Sequence, residues 1–111
     1  MQIEKREIAE GAAVLRLEGR FNMVAASRVR SAIEEAVDGG RPRVVVDLTE
    51  VTFMDSSGLG ALIAGLKRAR QASGDLRITG VSPQVATVLQ LTNLDRVLRA
   101  HSSIDAAIDD W

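Results

Sequence analysis

The run Arg43-Val44-Val45-Val46-Asp47-Leu48 constrains the fold more than any other stretch of this chain. Consecutive β-branched residues favour extended backbone, and an unbroken apolar run leaves neither face of a strand for water. A strand of that kind is covered on both sides, as in a parallel sheet with helices packed on it. The flanking segments supply the other parts. Residues 3–9 and 13–18 read as a hairpin joined at Glu10-Gly11, the second strand alternating Leu15 and Leu17 with Arg16 and Glu18. Val29, Ala32, Ile33 and Ala36 then fall at helical spacing, with Asn22 or Ser27 as the N-cap and Gly39-Gly40 past the end. Leu59, Leu62, Ile63 and Leu66 repeat that spacing, Lys67, Arg68 and Arg70 take the wet side, and Ser73-Gly74 ends the helix.

Residues 76–79 read as the next strand. Ser82 before Pro83 starts a third helix, with Val85, Val88 and Leu89 as its buried stripe. Val97 and Leu98 form a short last strand, and Ser102 or Ser103 caps a terminal helix carrying Ile104, Ala107, Ile108 and Trp111. The alternation predicts an α/β fold. It is a single layer of mixed, mostly parallel sheet, four to five strands with about four helices, in one domain over residues 1–111.

Charge and composition exclude whole classes of function. Fourteen basic against fifteen acidic residues leave a net charge of −1, so no global positive field draws in nucleic acid, and the expected partners are proteins. The absence of cysteine removes disulfide, iron–sulfur and thiolate-metal chemistry, and the single histidine, His101, removes a histidine-rich metal site. No cofactor or metal is expected. The opening MQIEKREIAEG scatters charges where a signal peptide needs an apolar core, and no stretch approaches the ~20 apolar residues that span a bilayer. The expectation is a soluble, cytoplasmic chain without membrane insertion.

Phe53-Met54-Asp55-Ser56-Ser57-Gly58-Leu59-Gly60 sits at a strand-to-helix junction and is the candidate site. As a nucleophile elbow it fails, because Met54 and Asp55 stand where glycine is needed two residues before Ser56 and Ser57, and His101 is the only imidazole. Residues 60–67 miss the P-loop by one position, and the dinucleotide fingerprint lacks its third glycine at Ile63, so Gly58 and Gly60 read as close helix packing. Asp47 stands where a phosphoacceptor receiver carries its aspartate, yet the earlier acidic pair for magnesium is missing, and Asp47 reads as a polar strand end bonding nearby backbone. His101 reads as a solvated loop residue. Asp and Ser are favoured N-caps, which accounts for one polar residue of the three.

The stretches 44–48, 51–60, Val81-Ser82-Pro83 and 89–94 together resemble the sulfate-transporter and anti-sigma-factor-antagonist (STAS) domains, specifically the small bacterial anti-sigma-factor antagonists. The resemblance covers almost the whole chain. It implies a non-enzymatic regulator in bacterial transcription control by partner switching. In such proteins the serine matching Ser57 is phosphorylated by a partner that is both serine kinase and anti-sigma factor. The unphosphorylated form binds that partner and frees the sigma factor, and a serine phosphatase resets the cycle. Asn22, Met54, Asp55, Ser56, Ser57, Gly58 and Leu59 are then the expected partner-binding residues, with Met54, Gly58 and Leu59 offered to the partner around the serine. The family pattern Leu-x-Gly-x-Leu-Asp appears here as Leu17-Glu18-Gly19-Arg20-Phe21-Asn22, an amide in place of the acid. That departure keeps open a non-cycling interaction module, such as a signalling scaffold or an accessory subunit of a transport system.

Overall fold

The computed structural model describes residues 1–9, 11–109 and 111, and the Glu10 half of the expected hairpin turn lies outside them. Strands β1 (Gln2–Ala9), β2 (Ala12–Phe21), β3 (Arg43–Met54), β4 (Asp75–Thr79) and β5 (Ala100–His101) form one sheet in the order β1-β2-β3-β4-β5. β1 runs antiparallel to β2 and every other neighbour is parallel. Helices α1 (Met23–Asp38), α2 (Ser56–Gln71), α3 (Pro83–Leu91) and α4 (Ile104–Ile108) make the connections between strands or follow the last of them.

The Val44–Leu48 run is buried throughout, as a doubly covered strand requires. Its alternate residues serve two cores. Val44, Val46 and Leu48 join Ala13, Leu15 and Leu17 of β2 beneath α1, α2 and α3. Val45 and Val14 face the other way, onto Ala107 with Ile104, Ile108 and Trp111 around α4. Each helix begins as the polar residue before it dictates. Asn22, Asp55, Ser82 and Ser103 are the four N-caps, and each side chain accepts the backbone N–H three residues on. Ser27, the alternative cap, lies inside α1.

Four expectations need correction. Asp47 is mid-strand, because β3 runs on for seven residues to Met54; its Oδ1 accepts from Thr49 N at 3.0 Å and Thr49 Oγ1 at 2.5 Å, a local bond of the kind expected. Val97 and Leu98 are not a strand. Both of their amides donate to Leu94 O in a turn, Leu98 drops into the core, and the pairing with β4 begins at Ala100. His101 is therefore in β5 and half-buried, with its carbonyl accepting from Thr79 Oγ1 at 2.9 Å. At the C-terminus α4 stops at Ile108, and Trp111 packs past its end with its ring 4.3 Å from the Arg77 guanidinium carbon.

Candidate functional site

The site is built where β2 and β3 end side by side. Phe21 pairs with Met54, and one residue later Asp55 N donates to Phe21 O at 3.3 Å, so α1 and α2 start as neighbours. β3 needs two more residues than β2 to reach this level, and the register slips twice, after Arg16 and after Gly19. Such bulges twist a strand and shift which residues face inward. Leu48, Val51 and Met54 consequently all point into the core, while Glu50 and Thr52 are exposed.

On its other side the end of β3 has no strand partner among the described residues, because β4 stops at Thr79, level with Asp47. A side chain takes the strand's place. Gln84 Oε1 accepts from Met54 N at 3.0 Å and Gln84 Nε2 donates to Met54 O at 2.9 Å, the two bonds a neighbouring residue in a ladder would make. The carboxamide of α3 thus holds the last residue before the Asp55 turn.

At the turn itself Asp55 Oδ1 accepts from Gly58 N at 3.0 Å, and Leu59 N donates to Asp55 O at 3.1 Å. The Ser56 and Ser57 amides, in the first turn of α2, have no intrahelical acceptor. Ser56 is exposed and Ser57 half-buried, so two hydroxyls and two N–H groups without an acceptor among the described residues gather at the positive end of a 16-residue helix. That is a place where a phosphate is tolerated.

The remaining expected site residues divide. Asn22 caps α1, with Oδ1 accepting from Ala25 N at 3.3 Å. Met54 is fully buried, Leu59 nearly so, and Gly58 is buried with them, so these three do not offer side chains to a partner. The cause is close packing of α2 on the end of β2: a Cβ on Gly58 would stand 2.5 Å from Phe21 O and 3.0 Å from the Phe21 ring. Gly60, by contrast, has nothing within 4 Å of its Cβ position and is exposed. Of the two glycines, only Gly58 is there for packing; Gly60 leaves a bare strip of helix one turn beyond the serines. His101 is not brought to the site. Sheet register places it level with Asp47 and Arg16, five β2 residues short of Phe21 and Met54, which is roughly 16 Å along the strands.

Sequence reasoning missed Gln84, and also Met23 and Val24. The latter pair opens α1 next to Asn22 at 73% and 79% exposure, unusual for large apolar side chains. Their sequence signal is position: both lie off the Ala25, Val29, Ile33 and Ala36 stripe that α1 buries. Gln84 has no such signal, since an amide near a helix start is ordinary.

A family model described as STAS domain matches residues 3–107. The anti-sigma F factor antagonist of Paenibacillus polymyxa is 30% identical over 99 residues, covering 88% of this chain and 84% of that protein. An anti-sigma factor antagonist from Mycobacterium paratuberculosis, solved by crystallography, superposes with a TM-score of 0.82 at 28% identity over 97% of this chain and 92% of that one. The anti-sigma factor antagonist SpoIIAA in its unphosphorylated form shares the fold, with a TM-score of 0.83 at 24% identity over 97% and 94% of the two chains.

Proposed function

The chain belongs to the STAS domain family, and on that premise we propose that it is an anti-sigma-factor antagonist switched by phosphorylation of Ser57. The reading rests on one observation above the others: an adjacent pair of serines with unbonded amides at the mouth of α2, beside the exposed apolar pair Met23 and Val24. The unmodified protein docks an anti-sigma factor that is also a serine kinase, and the sigma factor is freed. Asn22, Met23, Val24, Ser56, Ser57 and Gly60 form the docking face; Asp55, Met54, Gly58 and Leu59 shape it from beneath.

In the modification Ser57 Oγ bonds to the γ-phosphorus of ATP, its proton leaves, and ADP departs. The product adds about −1.5 to −2 charges at a helix N-terminus, where the dipole favours them by ~0.3–1 kcal/mol. The fold has no reason to move. The partner, however, must now desolvate that charge over an apolar patch, and ~2.8 kcal/mol already weakens binding a hundredfold. A serine phosphatase reverses the step. The protein itself is a substrate and ligand rather than an enzyme, acting in the cytoplasm where its kinase and ATP are found.

The test is phosphate transfer by the cognate kinase. With ATP, Ser57→Ala is expected to take up none while Ser56→Ala is still labelled. Labelling of Ser57→Ala at the wild-type rate sinks the assignment.

A further inference from the structure

A second cleft lies at the β5 edge of the sheet, of about 330 Å³, at the small end of the range for small-molecule sites. Four arginines line it, Arg70, Arg77, Arg96 and Arg99, with His101 beside them and Asp75 as the one carboxylate among the described residues. In a chain whose net charge is −1 this is a strong local concentration of one sign.

The fold accounts for only part of it. Asp75 accepts from Arg70 Nε at 3.2 Å and from Arg77 Nε at 3.5 Å, and Arg77 is further held by Ala107 O at 2.6 Å and by the Trp111 ring. Those contacts fix one wall. Arg96 and Arg99 come from the turn after α3, are exposed, and form no ion pair among the described residues. Their turn is nevertheless anchored, because Leu98 between them is fully buried and its amide donates to Leu94 O at 2.8 Å. Like charges that share one cleft repel one another wherever they come within the screening length of ~10 Å, and an anion bound there offsets that repulsion.

We propose that this cleft binds an oligophosphate chain. Planar guanidinium forks match phosphate oxygens two at a time, and a multiply charged anion is what the exposed Arg96 and Arg99, set in one cleft with Arg70 and Arg77, are suited to hold. A net charge of −1 argues against a nucleic-acid strand as the occupant. The site is separate from the serine turn: Arg70 is near the end of α2 and Ser57 near its start, thirteen residues or roughly 20 Å apart. The inference therefore stands whether or not Ser57 is the phosphoacceptor.

The test is calorimetric titration of the full chain with pyrophosphate and, separately, with ATP, which distinguishes a free oligophosphate from one carried on a nucleoside. Wild-type protein is expected to bind pyrophosphate, and Arg96→Ala and Arg99→Ala each to weaken that binding about tenfold, as loss of a charge-assisted bond does. Arg30→Ala, an exposed arginine on α1, controls for general charge. An ATP affinity that falls in step in the same variants identifies the phosphate chain as the group recognised. No binding of pyrophosphate at millimolar concentration, an equal loss in Arg30→Ala, or ATP binding indifferent to Arg96 and Arg99 overturns the proposal.

Discussion

The starts of α1 and α2 have the same backbone design and opposite surfaces. Each follows the end of one of two paired parallel strands, and each is capped by an Asx side chain that accepts the amide three residues on, Asn22 from Ala25 and Asp55 from Gly58. Beyond the cap the two diverge. α1 turns Met23 and Val24 to solvent, whereas α2 turns out Ser56 and Ser57 and closes against the sheet through Gly58. Caps and strand ends thus fix where the two helices begin, and the residues next to each cap decide what the surface carries: an apolar pair on one side, two hydroxyls on the other.

The largest effect is expected from breaking the closure at α2. Gly58→Ala forces a Cβ onto the Phe21 carbonyl, and equilibrium unfolding in urea should show a loss approaching about 3 kcal/mol, the upper end for overpacking against an obstacle that is backbone. Unchanged stability would mean that α2 can lift from β2 freely. Next comes charge at the modifiable side. Ser57→Asp should bind the kinase partner at least about tenfold more weakly, ~1.4 kcal/mol, yet unfold within ~1 kcal/mol of wild type. A stability loss equal to the binding loss would make unfolding the switch; unchanged binding would reduce Ser57 to a structural residue.

At the apolar side, Met23→Ser should cost the same complex about 1 kcal/mol, a fraction of what burying a methionine contributes, with no change in unfolding. If partner affinity ignores this substitution, α1 is no part of the docking face. The smallest effect is expected from making the caps alike. α1 has no acidic residue in its first turn, so Asn22→Asp should raise stability by ~0.3–1 kcal/mol through the helix dipole, less at high salt. The same variant restores the acid of the family pattern, and the rate of phosphate transfer to Ser57 then shows whether that acid serves the kinase or only the helix.

The fold was legible because its strongest signals are local. A β-branched run can be little else than a covered strand, and Asn22, Asp55, Ser82 and Ser103 obey a rule that involves three neighbouring residues. The serine turn was legible for the same reason. What surrounds it was not, because it depends on contacts across the chain. Leu59 belonged both to the apolar stripe of α2 and to the motif's expected outer face, and the stripe prevailed since burial of a leucine outweighs any local preference. Alternation counted from Val44 carries the signal for Met54, which two bulges leave in phase while turning Glu50 and Thr52 outward. The last strand was displaced by Leu98, whose burial draws the chain into a turn before pairing can begin.

The carboxamide that completes the end of β3 also sets an order of assembly. Strands that lie in space in the order of the chain let each new unit dock on the one before it, so the sheet can grow stepwise during synthesis. The serine turn breaks that progression. Met54 waits for Gln84, thirty residues downstream, before both of its backbone groups are held. On a ribosome making roughly 5–20 residues each second, seconds separate the emergence of the serines from the emergence of the residue that secures them. A nascent chain therefore displays Ser56 and Ser57 before it has made the Gln84 side chain that holds the strand end behind them.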